Sequence, residues 1–164
     1  MKTINPSELS PMQVQMILQT AVSPRPIALA STIDKNGNVN LSPFSFFNLF
    51  SSNPPILIFS PARRVRDNST KDTLHNVLEV PEVVIGNVNF DMVQQVSLSS
   101  TEYETGVDEF IKSGLTKKPS ELVKPPLIAE SPVNFECKVI EVKPLGNEGG
   151  AGNLVICEVL KIHI

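Results

Sequence analysis

Two runs near the carboxyl end limit the fold more than any other part of the chain. Val133, Phe135, Cys137 and Val139 alternate with Asn134, Glu136 and Lys138, and Leu154 to Ile164 is almost continuously apolar. Alternation at period two is the mark of a strand with one buried face, and the almost unbroken apolar run reads as a second long strand. The two pair through the segment PLGNEGGAGN. That segment holds half of the glycines, but it joins strand to strand and opens no helix, so it lacks the context of a phosphate-cradling loop.

The remaining elements are short and do not alternate as strand and helix. Ser10, Pro11 and Gln13 form an N-cap, a first-turn proline and a capping-box partner, which predicts a helix from Pro11 toward Thr20 with Met12 and Met16 on its buried face. IALASTID predicts a strand with Ile27, Leu29 and Ile33 on one face, KNGN a turn, and Val39 the start of a second strand. Ile56 to Phe59 reads as a short buried strand. A helix capped by Ser69 or Thr70 would turn Leu74, Val77 and Leu78 inward, and VVIGNVNF is a further strand followed by a helix around Met92, Val93 and Val96. Asp108, Glu109, Lys112 and Gly114 bound another short helix. Pro119, Pro125 and Pro126, interspersed with apolar residues, predict a folded-back loop. The sum is a mainly β fold, an antiparallel barrel with peripheral short helices, in one domain over residues 1–164.

Composition excludes several classes. A formal net charge of −3 does not suit a phosphate-backbone partner, so no nucleic acid is expected. No apolar run reaches the roughly 20 residues of a membrane span, and MKTINPSELSP lacks the apolar core of a signal peptide, so the expected location is cytoplasmic, away from membranes. Cys137 and Cys157 lie in strand-like runs and read as small buried hydrophobes. His75 and His163 stand apart from any metal-ligand or triad spacing, so neither a catalytic side chain nor a metal site is assigned.

An enzyme built this way would depend on a bound cofactor that carries its own reactivity. The stretch NLSPFSFFNLFSSNPPILIFSP concentrates Phe residues among Ser and Asn side chains. Phe44 and Phe46 share a face at period two with Ser42, Ser45 points the other way, and Pro43 bars a regular central strand. Such a strand end suits a flat heteroaromatic ring, although a core strand leaving through a Pro-rich turn has the same pattern. In NSTKDTLHN a helix start carries Ser69, Thr70, Lys71 and Thr73, with Arg63 and Arg64 nearby, and its free N–H groups suit an anion; a capped surface helix is the bland alternative.

SPRPIALASTIDKNGNVNLSPFSFFNLFSSNPPILIFSP, followed by KDTLHN, DEFIKSGLTKKPSELVKPPLIAESPVNFECKVIEV and VICEV, resembles the flavin reductase-like family of FMN-binding split barrels, a flavoredoxin-like group. The resemblance implies a Greek-key split barrel, a homodimer with FMN at the subunit interface, and hydride transfer from NADH or NADPH or electron exchange with a redox partner protein or flavin-dependent monooxygenase. It implies that Asn40, Ser42, Phe44, Ser45, Phe46 and Asn48 line the ring and ribityl chain, that Thr32 faces the same pocket, and that Ser60, Lys71, Asp72 and Thr73 hold the phosphate. The chain departs from many relatives at Cys157, where they have Gly, and relatives commonly continue past Ile164 with a segment that closes the barrel or covers the flavin.

Three readings follow. The first is an NAD(P)H-dependent flavin reductase, the second a flavin-binding carrier module without its own nicotinamide oxidation, and the third a split-barrel interaction protein. The terminal strand and the apolar residues near Pro125 to Ile128 would be covered by a second copy.

Overall fold

The computed structural model describes residue 1 and residues 3–164. In chain order the strands are β1 (Ala28–Ile33), β2 (Val39–Phe44), β3 (Phe47–Ser52), β4 (Pro55–Phe59), β5 (Glu82–Asn87), β6 (Lys117–Lys118), β7 (Leu127–Ile128), β8 (Asn134–Pro144) and β9 (Asn153–His163). The helices are α1 (Pro11–Ala21), α2 (Asp72–Glu79), α3 (Val93–Ser99) and α4 (Glu109–Ser113). Seven strands form one antiparallel sheet in the order β2-β1-β5-β8-β9-β4-β3, and β6 pairs with β7 separately.

β2 and β3 occupy opposite ends of this order, yet only Ser45 and Phe46 separate them in sequence. Three Cα steps reach about 11 Å at most, so the sheet rolls until its two edges approach each other. No ladder joins β2 to β3 among the described residues, which makes this a split barrel and not a closed one. Pro43 is tolerated because β2 is an edge strand with one unpaired side.

The pleat divides the core in two. Ala28, Ala30, Phe44, Phe59, Val83, Ile85, Cys137, Val155 and Cys157 point into the barrel, where Leu74 and Val77 of α2 close one end. Leu29, Leu41 and Val84 point outward and are covered by Met92, Val96, Phe110, Leu127 and Ile128. Burial on both faces accounts for the unbroken apolar run in β5. Burial raises the Cys137 thiol to about 12 and Cys157 still further above its ordinary value, and neither forms a disulfide.

The capping box of α1 is present, with Ser10 accepting from the Gln13 N–H and the Gln13 side chain accepting from the Ser10 N–H. Met12 and Met16, however, are exposed, because α1 lies outside the barrel and buries none of its residues. α2 starts at Asp72 with Lys71 as its N-cap and no side-chain cap, while Ser69 is occupied by Asp67 and Arg64. Leu74 and Val77 face inward as predicted, but Leu78 is exposed. Leu127 and Ile128 are buried beneath α3 and α4, so they offer no surface to a second copy. The Phe-rich segment contains the additional strand β3, which forms a hairpin with β4 across Asn53 and Pro54.

Glu136 is the largest departure from the alternating pattern. It is fully buried, because its carboxylate accepts the N–H groups of Glu121, Leu122 and Val123 at 3.0, 2.6 and 3.1 Å. His163 Nε2 lies 2.6 Å from the same carboxylate. The Pro-rich loop is thus folded onto the sheet through an acid in β8.

Candidate functional site

Asn40, Ser42 and Phe44 follow one another on one face of β2, the face that continues into the barrel. Phe44 is buried against Phe59, with ring centroids 5.3 Å apart and planes inclined by 38°. The strand ends there, and Ser45 and Phe46 form the link to β3. Ser60 N–H donates to the Phe46 carbonyl at 2.8 Å, which ties the link to the end of β4. Phe44 enters the core and Phe46 is exposed, and Ser45, expected on the opposite side, borders the same cleft as both.

These residues form one wall of a cleft of about 270 Å³. Ser60, Ala62 and the Arg63–Val65 loop form another, Gln15 and Gln19 of α1 a third, and Lys71 closes the end. Lys71 Nζ lies 5.2 Å from the Phe44 ring centroid. Arg64 and Lys71 also border a smaller polar cavity of about 40 Å³, whose other walls are Asn40, Ser42, Asp72, Thr73, Glu109 and the 99–103 segment. The larger cleft, walled by aromatic, amide and hydroxyl side chains, thus shares two cations with a small hydroxyl-lined end at the start of α2.

The electrostatics favour an anion there. Lys71 is half-buried and, among the described residues, forms no ion pair. Burial, reinforced by the neighbouring Arg64, pushes its pKa below the ordinary lysine value. The first N–H groups of α2 have no side-chain cap, leaving donors and a positive dipole end beside that ammonium. Arg64 donates to the Thr70 carbonyl at 2.7 Å and pairs with Glu102 at 3.1 Å, so its guanidinium is held at the boundary between the cavities.

A buried polar network supports the floor. Glu109 accepts the Leu41 N–H at 2.9 Å. The Asn40 amide donates to Glu109 at 3.2 Å and accepts from Thr73 Oγ1 at 2.9 Å. Burial pushes the Glu109 carboxyl above its ordinary range against the Leu41 hydrogen bond, with Asp72 and Asp108 acting in the same direction as burial. Asp72 accepts from the Thr105 hydroxyl at 3.2 Å.

The Gly-rich segment between β8 and β9 packs against the arginine loop. Arg63 N–H donates to the Ala151 carbonyl at 2.8 Å, and Gly150 N–H donates to the Arg63 carbonyl at 2.9 Å. A Cβ on Gly149 would lie 2.9 Å from Val65 Cα and 3.1 Å from the Arg64 carbonyl, and one on Gly152 only 2.5 Å from Ser60 Oγ. These glycines permit close approach of two loops.

Of the residues expected at a site, Phe44, Ser45, Phe46, Ser60 and Lys71 line the larger cleft, and Asn40, Ser42, Lys71, Asp72 and Thr73 line the smaller end. Asn48 is exposed and borders an adjoining apolar cavity of about 290 Å³ that shares Ser45, Phe46 and Ser60. Thr32 is fully buried behind this layer, its hydroxyl accepting from Asn76 at 3.1 Å. Gln15, Gln19, Glu109 and the 99–103 segment had no distinguishing sequence signal. No cluster of potential metal ligands occurs among the described residues.

The family model described as "Flavin reductase like domain" matches residues 20–164. An uncharacterised protein of Aquifex aeolicus is 43% identical over 124 residues, covering 76% of this chain and 63% of that protein. Another, of Halalkalibacterium halodurans, is 41% identical over 163 residues, covering 98% of this chain and 78% of its own length. The chain therefore spans about two thirds to three quarters of these relatives. Among solved structures, nitrilotriacetate monooxygenase component B from Bacillus cereus superposes with a TM-score of 0.93 at 28% identity, over 100% of this chain and 81% of that one.

Proposed function

We propose that this chain, which belongs to the flavin reductase-like domain family, is a single-domain cytoplasmic FMN-binding oxidoreductase that takes hydride from NADH or NADPH and delivers electrons to a flavin-dependent monooxygenase or other redox partner. The observation that carries this reading is the continuity of the cleft: Phe44, Ser45 and Phe46 at one end and Lys71 and Arg64 at the other border a single space. Its aromatic and hydroxyl-bearing wall suits a planar ring, and its cationic end suits a phosphate. The similarity to a monooxygenase component supports the choice of partner.

A bound flavin would supply the electron-accepting ring. The chain's own residues position it: the Ser45–Phe46 link sets the cleft width, Ser42 and Ser60 offer hydroxyls, and Lys71 with the opening N–H groups of α2 neutralises the phosphate. The protein acts as a homodimer in this reading. Met12, Met16 and Leu18 on α1 and Leu49 and Phe50 on β3 expose apolar surface flanking the cleft, and a second copy would cover it.

The test is to incubate purified protein with FMN, remove free flavin, and follow NADH and NADPH consumption. Retained yellow colour and nicotinamide oxidation are expected. Retention without oxidation would indicate a carrier module, and a colourless, inactive protein would overturn the proposal.

A further inference from the structure

The small polar end of the cleft is closed on its far side by the segment that follows α3. Ser99, Ser100, Thr101, Glu102 and Tyr103 all border it. Ser99 and Ser100 hydroxyls donate to carbonyls of Val96 and Ser97 at 2.9 and 2.6 Å, and Tyr103 donates to the Leu98 carbonyl at 3.2 Å, so the segment folds back on the end of α3. It is then pinned on both sides of the cavity. Glu102 pairs with Arg64 at 3.1 Å and with Arg66 at 3.3 Å, and Thr105 donates to Asp72 at 3.2 Å. Arg64 and Asp72 belong to the cavity wall itself, so the segment is tied to that wall at two points on the far side.

From this closure we infer that the 99–105 segment is a specificity stop: it admits a flavin ending in a terminal phosphomonoester and refuses one whose phosphate continues into a second nucleotide. The inference rests on the proposed flavin site and adds what chooses among flavins. A terminal phosphate has its unesterified oxygens free to meet Lys71, the α2 N–H groups and the surrounding hydroxyls. The phosphate of FAD is esterified onward and needs an exit, which Glu102 and Thr105 obstruct. Glu102 has a second effect, because its carboxylate occupies Arg64 from outside and competes with the ligand for that cation.

Fluorescence titration of apo protein with FMN, FAD and riboflavin tests this, using wild type and the E102A/T105V double variant. Both substituted residues are exposed on the surface, and E102Q with T105V serves as a milder second variant that keeps the side-chain shape. The wild type is expected to bind FMN more tightly than FAD or riboflavin. The variants are expected to narrow the FMN-over-FAD preference by about fivefold to tenfold, the scale of two lost surface contacts. Equal affinity of the wild type for FMN and FAD, or a preference unchanged in both variants, would overturn the stop while leaving flavin binding intact. Failure of every flavin to bind the wild type would instead remove the site beneath it.

Discussion

Lys71 Nζ sits 5.2 Å above the ring of Phe44, which joins the cationic end of the cleft to its aromatic wall through one pair of side chains. The ammonium is half-buried and its pKa is lowered, first by that burial and then by Arg64. In the absence of an anion the protein carries a charge it would be more stable without.

Lys71→Met separates these two roles. It is expected to weaken FMN binding by about 1.5–3 kcal/mol, the value of a charge-assisted phosphate contact, while leaving riboflavin affinity nearly unchanged. The same substitution should raise the melting temperature of the flavin-free protein at neutral pH. The sign follows from linkage: the unfolded lysine binds its proton more tightly than the folded one, so wild-type stability rises as pH climbs from the lowered folded value to the ordinary one. Calorimetry without flavin and titration with it check both. Equal FMN affinity in the variant would place the phosphate elsewhere.

Glu109 offers a second pH-dependent term of opposite slope. Its folded pKa is raised, chiefly by burial, so between the ordinary carboxylate value and the raised one the folded protein holds a proton that the unfolded chain has lost. Stability from this group falls as pH rises through that window. Glu109→Gln removes the titrating carboxyl while keeping an acceptor for the Leu41 N–H, and melting profiles against pH should lose this decline. A profile identical to wild type would show that the carboxyl does not titrate there.

Glu136 behaves in the contrary sense. Burial pushes its pKa upward, but the N–H groups of Glu121, Leu122 and Val123 together with His163 hold it below the ordinary carboxylate value. Its contribution is fully present above the unfolded carboxylate pKa and is lost as pH falls through the lowered folded one. Glu136→Ala leaves three part-buried N–H donors without their shared partner and is expected to cost about 1–3 kcal/mol. Urea denaturation gives the energy, and limited proteolysis should show early cleavage between residues 119 and 126. An intact loop in the variant would refute the anchoring role.

Gly149→Ala tests whether the Gly-rich loop supports the site. The added methyl meets backbone at Val65 and Arg64, and overpacking of this kind costs about 1–3 kcal/mol or displaces the loop. Reduced FMN affinity is expected together with a lower melting temperature. Gly37→Ala is the comparison: its φ of 92° makes a side chain strained, but nothing lies near the added atom and Gly37 lines no part of the cleft, so stability should fall while FMN affinity holds.

Local chemistry was legible wherever the determinant lies within a few residues. Ser10 with Gln13 marked the start of α1, Gly114 in the left-handed conformation marked the end of α4, and the alternation around Cys137 marked β8. The aromatic and cationic ends of the cleft were both recognisable as segments, and the fold brings them to one cleft. What periodicity could not show was which apolar face finds a cover. Met12 and Met16 have the spacing of a buried stripe and meet solvent, whereas Leu127 and Ile128 sit in a Pro-rich stretch and are buried under α3 and α4. Glu136 read as solvent-facing because its partners come from a loop distant in sequence, and Glu109 read as a first-turn acid when its partners are on β2.

The brevity of the Ser45–Phe46 bridge ties substrate accommodation to architecture. Because the outermost strands are fastened there by so little chain, lengthening the bridge by even one residue would let the two rims drift apart. The hydrogen-bonded ladders would survive, but the mouth they frame would lose its gauge. Variation in aperture among proteins of this design should therefore be sought first in the length of that clasp.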